Sequence, residues 1–297
     1  MSKPIDFRAL AQRIAREKGY ETILPVLEKE LLHYEILAAL DEARLLDDLV
    51  FQGGTSLRLC YGSERFSEDL DFAGGRGFDG ARVSSIKGVL ETAIARRYNV
   101  EVRVLDPKKR ALEQGDGPQT SVQVDCWQIQ VITSQGRPDI PRQKIKLEIA
   151  AIPAHTRSIR ALVINHDELP YGYSNILIPV EEPEEIAADK LLALATSSYI
   201  RYRDIWDLRW LAVRPRFQKE LLKGLVNKKV EDYSVLGGFQ QLAAAFVPKL
   251  PDLINSKEFS GLMRRFLPSA TFEQTLERDL FRDHLVETLE ELYSVLT

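Results

Sequence analysis

Apolar side chains recur at every third or fourth position in the first part of the chain, which predicts helices over residues 7–18 and 21–46. Pro25 suits the first turn of the second helix. Further along, short segments alternate apolar and polar residues, which predicts strands because successive strand side chains point to opposite faces. The predicted strands are 49–51, 69–73, 100–104, 121–133, 144–152, 159–164 and 175–180, with helices over 55–61 and 81–97.

After Pro183 the pattern becomes helical. It predicts helix almost throughout 184–225 and again over 236–247, 258–266 and 271–296. We therefore place a boundary near residues 179–183 and predict two domains, a mixed α/β domain with N-terminal helices over 1–180 and a helical C-terminal domain over 181–297. The length of 297 residues agrees with about two domains of roughly 150 residues. The predicted fold class is α+β.

Composition excludes several classes of protein. A hydrophobic fraction of 44% with a net charge of −4 is typical of a folded chain and argues against intrinsic disorder. The same charge excludes a uniformly basic coat for gripping nucleic acid. Cys60 and Cys126 have no metal or disulfide-framework spacing, so we expect buried, reduced thiols. With neither a secretory signal nor a membrane span in the pattern, we expect a cytoplasmic protein with no membrane partner.

Positive charge is nevertheless concentrated in two stretches. Residues 96–160 carry a net charge of +5, and residues 199–229 carry +6. Charge runs usually mark a solvated face, but two such stretches beside candidate site residues are suited to following a nucleic-acid backbone.

Asp69 and Asp71 are the first candidates for chemistry. At positions i and i+2 of a predicted strand, both side chains leave the same face. Adjacent carboxylates repel, so keeping both ionised requires a cation between them, and oxygen ligands of this kind suit Mg²⁺. Two such metals serve in-line displacement at phosphorus, and Glu148, an acid in an apolar strand-like run, offers a third carboxylate.

Gly53 and Gly54 form a predicted turn before a short helix. Backbone N–H groups at a helix N-terminus bind phosphates, and the hydroxyls of Thr55 and Ser56 add donors nearby. Taken singly, a Gly-Gly turn, an Asp-x-Asp pair and a strand Glu are commonplace. Their combination in this order, with a strand, a turn and a helix between them, favours a site.

Lys190 and Asp207 are candidates from the helical part. Lys190 lies among apolar residues, so its charge should be aimed at a partner such as a triphosphate. The alternative is a surface lysine paired with Glu184 or Glu185. Asp204 and Asp207, three residues apart, share a helix face and are both candidates.

Two further alternatives stay open. Asp204 or Asp207 would otherwise be a structural partner of Arg201 or Arg203. Arg65 could contact phosphates or be an ordinary charge in a surface loop.

A glycine-rich segment imitates a dinucleotide-binding fingerprint. Gly75, Gly77 and Gly80 match G-x-G-x-x-G after a strand, and Glu101 follows about twenty residues later. However, the first strand of such a fold is buried on both faces and apolar, whereas this one carries Asp69 and Asp71. We therefore interpret the segment as a loop.

The string from Gly53 to Phe72 resembles the nucleotidyltransferase superfamily. In full it reads Gly-Gly-Thr-x-Leu followed by Arg65-x-Ser67-x-Asp69-Leu70-Asp71-Phe72, and it resembles the AbiEii/MenT branch, the toxins of type IV toxin–antitoxin systems. The resemblance continues in 188–194 and 203–208 and spans roughly residues 49–211.

This resemblance implies a nucleotidyltransferase fold with the site between the two domains. It implies transfer of a nucleoside monophosphate from an NTP to the 3′ end of tRNA, release of pyrophosphate, growth arrest and a cognate antitoxin as partner. The implied roles fall into three groups: Asp69, Asp71 and Glu148 for Mg²⁺; Gly53, Gly54, Ser56, Arg65 and Lys190 for the triphosphate; and Asp207, preferred to Asp204, for the acceptor.

Two other functions remain open from the residues. One is a nucleotidyltransferase acting on a small molecule such as an antibiotic, which the basic stretches make less favoured than RNA. The other is a binding protein that keeps the fold without the catalysis, against which the intact carboxylates and Lys190 argue.

Overall fold

A computed structural model of the chain describes four segments, residues 5–111, 122–133, 142–235 and 238–296. Parts of three predictions lie outside them: position 121 of a strand, positions 236–237 of a helix, and 112–121 and 134–141 of the first basic stretch. No helix of the described segments is both long and apolar enough to cross a bilayer.

The described residues divide into two compact units. One runs to Arg110 and resumes from Gln123 to Val180, and the other includes Ala111 and Val122 and continues from Glu181. The first holds the sheet with its helices, and the second is helical.

Two helices begin the first unit. α1 spans Phe7–Lys18 and ends at Gly19, whose φ of +68° is left-handed and suits glycine. A 3₁₀ turn at Glu21–Ile23 leads into α2, Leu24–Glu42. The helix predicted over 21–46 therefore begins as a tighter turn and ends earlier.

Seven strands of the described residues form one mixed sheet. In chain order they are β1 (Val50–Gln52), β2 (Leu70–Ala73), β3 (Glu101–Ala111), β4 (Gln123–Ile132), β5 (Gln143–Ala150), β6 (Ser158–Ala161) and β7 (Leu177–Val180). Their spatial order is β3-β4-β5-β2-β1-β7-β6. β2 is antiparallel to β1 and parallel to β5, β1 is parallel to β7, and β4–β5 and β6–β7 are antiparallel.

The two faces of β4 and β5 differ in polarity, as the alternating pattern predicts. One face carries buried apolar side chains such as Trp127, Ile129 and Leu147, and α2 packs beside β5. The other face carries polar side chains, including Gln128 and Lys146. The alternation therefore buries one face in the core and leaves the other for polar groups.

Two more helices connect the strands of the first unit. α3 spans Gly53–Tyr61 between β1 and β2, and α4 spans Ile86–Tyr98 between β2 and β3. A separate 3₁₀ turn at Gly80–Val83 precedes α4, so the helix predicted over 81–97 begins later.

The second unit is built from α5 (Pro183–Thr196), α6 (Tyr202–Ala212), α7 (Leu222–Asp232), α8 (Phe239–Phe246), α9 (Leu250–Ile254), α10 (Lys257–Met263), α11 (Ser269–Gln274) and α12 (Asp279–Ser294). The nearly continuous helix predicted over 184–225 was wrong, because the chain breaks twice. Ser197 is extended after α5, and Pro215 disfavours helical backbone at Arg214.

Candidate active site

The turn between β1 and α3 brings two glycines against two candidate site residues. Gly53 has φ +77°, and a Cβ placed on it would lie 2.9 Å from Asp71 Oδ2. A Cβ on Gly54 would collide with the guanidinium of Arg65. Both positions therefore need glycine, the first for its backbone conformation and for the approach of Asp71, and the second for the approach of Arg65.

Asp71 and Glu148 lie side by side on the polar face of the sheet. They are register partners on the adjacent parallel strands β2 and β5, and both side chains are half-buried. Paired residues project to the same face, so the register brings together two of the three predicted metal ligands. Two neighbouring carboxylates repel each other unless a cation or a proton compensates them.

Asp69 lies one residue before β2 and is tied to its surroundings. Its Oδ1 accepts a hydrogen bond of 2.9 Å from the Lys146 amide, and its carbonyl oxygen accepts one from the Thr55 hydroxyl. The hydroxyl of Thr55 therefore holds the backbone just before β2. An ionised carboxylate has two oxygens and about four acceptor positions, so the bond from Lys146 is compatible with metal ligation.

The donor set of this region fits a hard divalent cation in part. Carboxylate oxygens are the ligands that Mg²⁺ prefers, and Asp71 with Glu148 supplies two neighbouring carboxylates. No group of three or more His, Cys, Asp and Glu side chains is gathered as a metal site in the described segments. The role of Asp69, Asp71 and Glu148 as a complete ligand set stays a prediction.

Ser56 and Arg65, which were predicted to bind phosphates at the glycine turn, are both buried. Ser56 Oγ donates to the Gly53 carbonyl at 2.8 Å, and Arg65 Nη1 donates to the Phe66 carbonyl at 2.7 Å. In this arrangement the two side chains hold the turn, and Arg65 is a buried residue rather than a surface loop charge. Their contacts with phosphate stay predictions.

A buried ionic network that the sequence analysis missed supports α3. Glu30 accepts hydrogen bonds from Arg58 at 2.7 and 3.1 Å, and His166 Nε2 lies 2.8 Å from Glu30 Oε1. Although burial opposes the charge, Arg58 and His166 lower the pKa of Glu30 to about 2. Arg58 also donates to the Ser63 carbonyl at 2.8 Å, which fixes the chain leaving α3. The only sequence signal was a cation and an acid within apolar helices.

In the second unit, Lys190 connects the two candidate aspartates. Its Nζ lies 2.5 Å from Asp204 Oδ1 and 2.9 Å from Asp207 Oδ2, and all three side chains are buried. The alternative of a surface lysine paired with Glu184 or Glu185 was therefore wrong.

Asp204 has a second cationic partner besides Lys190. Arg201 Nε lies 2.6 Å from Asp204 Oδ2, so Asp204 contacts both a guanidinium and Lys190. Burial opposes its charge, but the two cations hold the pKa of Asp204 well below its usual range. A carboxylate held so firmly ionised is a weak base, which counts against Asp204 as the group that acts on an acceptor.

Lys229 belongs to the basic stretch 199–229, but its charge is not available to a nucleic acid. It is fully buried and contacts Glu181, Glu185 and Asp189 at 3.1, 2.7 and 2.8 Å. The three acids are spaced by four residues, which was the sequence signal for this cluster, on and just before α5. The charge of Lys229 is therefore compensated inside the unit and adds nothing to a nucleic-acid surface.

The glycine-rich segment is a loop, as interpreted. Gly80 begins the short 3₁₀ turn, and a Cβ there would collide with the carboxylate of buried Asp125. The helix N-terminus that a dinucleotide fingerprint requires does not follow it directly.

A family model matches most of the chain. The model of the AbiEii nucleotidyltransferase toxin of type IV toxin–antitoxin systems matches residues 35–292, a range that holds every candidate site residue named above. No curated protein matches the chain.

A solved structure supports the fold. MenT4, the nucleotidyltransferase toxin Rv2826c from Mycobacterium tuberculosis H37Rv, is similar with a TM-score of 0.56 and 20% identity, over 97% of this chain and 98% of that chain. JHP933 from Helicobacter pylori is 19% identical, with a TM-score of 0.47, over 91% of this chain and 93% of that chain. The similarity to MenT4 confirms the predicted nucleotidyltransferase fold.

Proposed function

The chain belongs to the AbiEii family of nucleotidyltransferase toxins of type IV toxin–antitoxin systems, and we propose that it transfers a nucleoside monophosphate from an NTP to the 3′ end of tRNA, releasing pyrophosphate. The observation that carries this proposal is the register of Asp71 with Glu148 beside the glycine turn of α3. Paired carboxylates next to a phosphate-binding helix start are the arrangement that nucleotidyl transfer needs.

The proposed role of the first unit is to hold the nucleotide and its metal. Asp71 and Glu148, with Asp69, would hold Mg²⁺, which when bound neutralises phosphate charge and polarises the bond to the leaving pyrophosphate. The backbone N–H groups of Gly53 and Gly54 would bind phosphate oxygens, while Arg65 keeps that turn in shape from beneath.

The proposed role of the second unit is to act on the phosphates and the acceptor. Lys190 would place a compact positive charge against the triphosphate, an interaction that a lysine makes as a point charge. Asp207 would accept the proton from the attacking hydroxyl of the acceptor. Its buried contact with Lys190 fixes the orientation of the carboxylate before the substrate arrives.

The proposed consequence is a block of translation, because a tRNA carrying an extra 3′ nucleotide cannot be aminoacylated normally. The family implies an antitoxin as partner. We place the reaction in the cytoplasm, where tRNA and NTPs occur together. The positively charged stretch at 199–229 supports an RNA acceptor, since several of its cations are outside the buried pairs.

Incubation with α-labelled NTPs tests the acceptor. We expect label from at least one of the four NTPs to enter tRNA at its 3′ end, and periodate-oxidised tRNA, which lacks the terminal diol, to remain unlabelled. Label confined to small acceptors such as aminoglycosides would contradict the tRNA proposal and support the small-molecule alternative.

A further inference from the structure

Gln52 extends the acidic pair into a row of three polar side chains. It is the last residue of β1 and the register partner of Asp71 in the antiparallel pair, while Asp71 is the partner of Glu148 in the parallel pair. Register partners project to the same face of a sheet, and neighbouring strands lie ~4.8 Å apart. Gln52, Asp71 and Glu148 therefore form a row of three side chains that all carry oxygen acceptors.

The side-chain oxygen of Gln52 is buried without a donor. No hydrogen-bond partner for Oε1 lies within the described segments, and the side chain does not cap α3, although Gln52 occupies the N-cap position. A polar atom buried in this state has lost its bonds to water without gaining a donor, which is unfavourable. Its neighbour in the row, Asp71, also presents acceptor oxygens. The Gln52 oxygen and the Asp71 carboxylate therefore do not bond to each other, and together they attract a cation.

We propose that Gln52 Oε1 is a ligand of the divalent cation that the proposed function assigns to Asp71 and Glu148, and the inference rests on that function. Amide oxygens of glutamine serve as ligands of hard divalent cations alongside carboxylates. Asp69 already uses one oxygen for the Lys146 amide, whereas Oε1 of Gln52 has its full acceptor capacity. Gln52 thus adds a neutral oxygen from the β1 side and no further negative charge.

Mn²⁺ binding to the full chain, followed by electron paramagnetic resonance of the unbound ion, tests this assignment without any turnover. Gln52→Met keeps the length of the side chain and removes the oxygen, so we expect the Kd for Mn²⁺ to rise about tenfold or more. Gln52→Glu supplies a charged oxygen, so we expect the Kd to fall. The matched control is Gln128→Met, on the same face, where Oε1 accepts a 2.8 Å bond from Gln130; we expect its Kd to match the parent.

Two results would overturn the assignment: a Gln52→Met Kd equal to that of the parent, or weaker binding by Gln52→Glu. If Gln52→Met fails to fold by circular dichroism, Gln52→Glu decides alone. Asp71→Asn separates this failure from a failure of the proposed function. If Asp71→Asn loses Mn²⁺ while Gln52→Met keeps it, the Gln52 assignment alone is wrong. If Asp71→Asn binds Mn²⁺ like the parent, the acidic pair is not the metal site and both fall.

Discussion

Lys190 Nζ lies between Asp204 and Asp207, 2.5 Å from an oxygen of the first and 2.9 Å from an oxygen of the second. The contact joins α5 to α6 through three buried charges. Two buried carboxylates restrain the ammonium group of Lys190, which suits its proposed contact with a phosphate. The same arrangement makes the residue important for the stability of the second unit.

Removing the Lys190 charge is expected to destabilise the protein strongly. Lys190→Met leaves two buried carboxylates without their shared cation, which costs about 3–5 kcal/mol of unfolding free energy in urea titrations. The control is Lys219→Met, which breaks the more exposed 2.7 Å pair with Glu291 and should cost less than about 1 kcal/mol. Equal losses for the two variants would mean that Lys190 is no more important than a surface lysine.

Alanine at Gly53 is expected to damage transfer beyond any loss of stability. Gly53→Ala combines a left-handed backbone with a contact against Asp71 Oδ2. Gly62→Ala is the matched control, because Gly62 has φ +78° and nothing within 4 Å of an added Cβ. Both should lose about 1 kcal/mol of stability, but only Gly53→Ala should lose nucleotidyl transfer. Similar transfer rates in the two variants would contradict this prediction, because the turn at Gly53 would then have no specific part in nucleotidyl transfer.

Stability should fall in mild acid because of His33. Burial lowers the pKa of His33 to about 4, so between pH 6.5 and 4 the unfolded chain takes up a proton that the folded chain refuses. This contribution is present above pH 6.5 and is lost as the pH falls. The unfolding free energy of the parent, compared with that of His33→Gln, should drop by about 3 kcal/mol over that range. A pH-independent difference would contradict the account.

Glu181 is expected to have the opposite effect to His33, because its contribution to stability decreases as the pH rises. Burial raises its pKa well above the ordinary value, against the opposing charge of Lys229 and with help from Asp189 and Glu185. Its stabilising contribution is therefore present below about pH 4.5 and lost as the pH rises. Thermal melts should show Glu181→Gln gaining on the parent from pH 5 to pH 8. The exposed Glu220→Gln should follow the parent throughout, and the same behaviour for Glu181→Gln would contradict the prediction.

Features of the fold and the site that have a local signal could be predicted from the sequence. Alternation predicted the strand that carries Asp71, because the period of a strand depends only on neighbouring residues. The string from Gly53 to Asp71 was compact enough to be recognised, and membership of the AbiEii family confirms that resemblance. Helical spacing likewise predicted that Asp204 and Asp207 share one face, and in the structure both carboxylates contact Lys190.

Features that depend on distant parts of the chain were missed. Glu30 and His166 are 136 positions apart, so no pattern along the sequence predicts their contact. The breaks inside 184–225 were hidden because its apolar residues continue at helical spacing across them. Gln52 could not be identified as a candidate from the sequence, because its pairing with Asp71 depends on the register of two strands and neither segment alone encodes it.

Single-turnover nucleotidyl transfer by Asp71→Asn tests the central claim most directly. The substitution preserves size and removes the charge that the register places beside Glu148. With α-labelled NTP and tRNA, we predict a loss of at least about a hundredfold in rate, with an unfolding midpoint close to that of the parent. Transfer at the parental rate by folded Asp71→Asn would contradict the account, because the acidic pair would then have no part in the reaction.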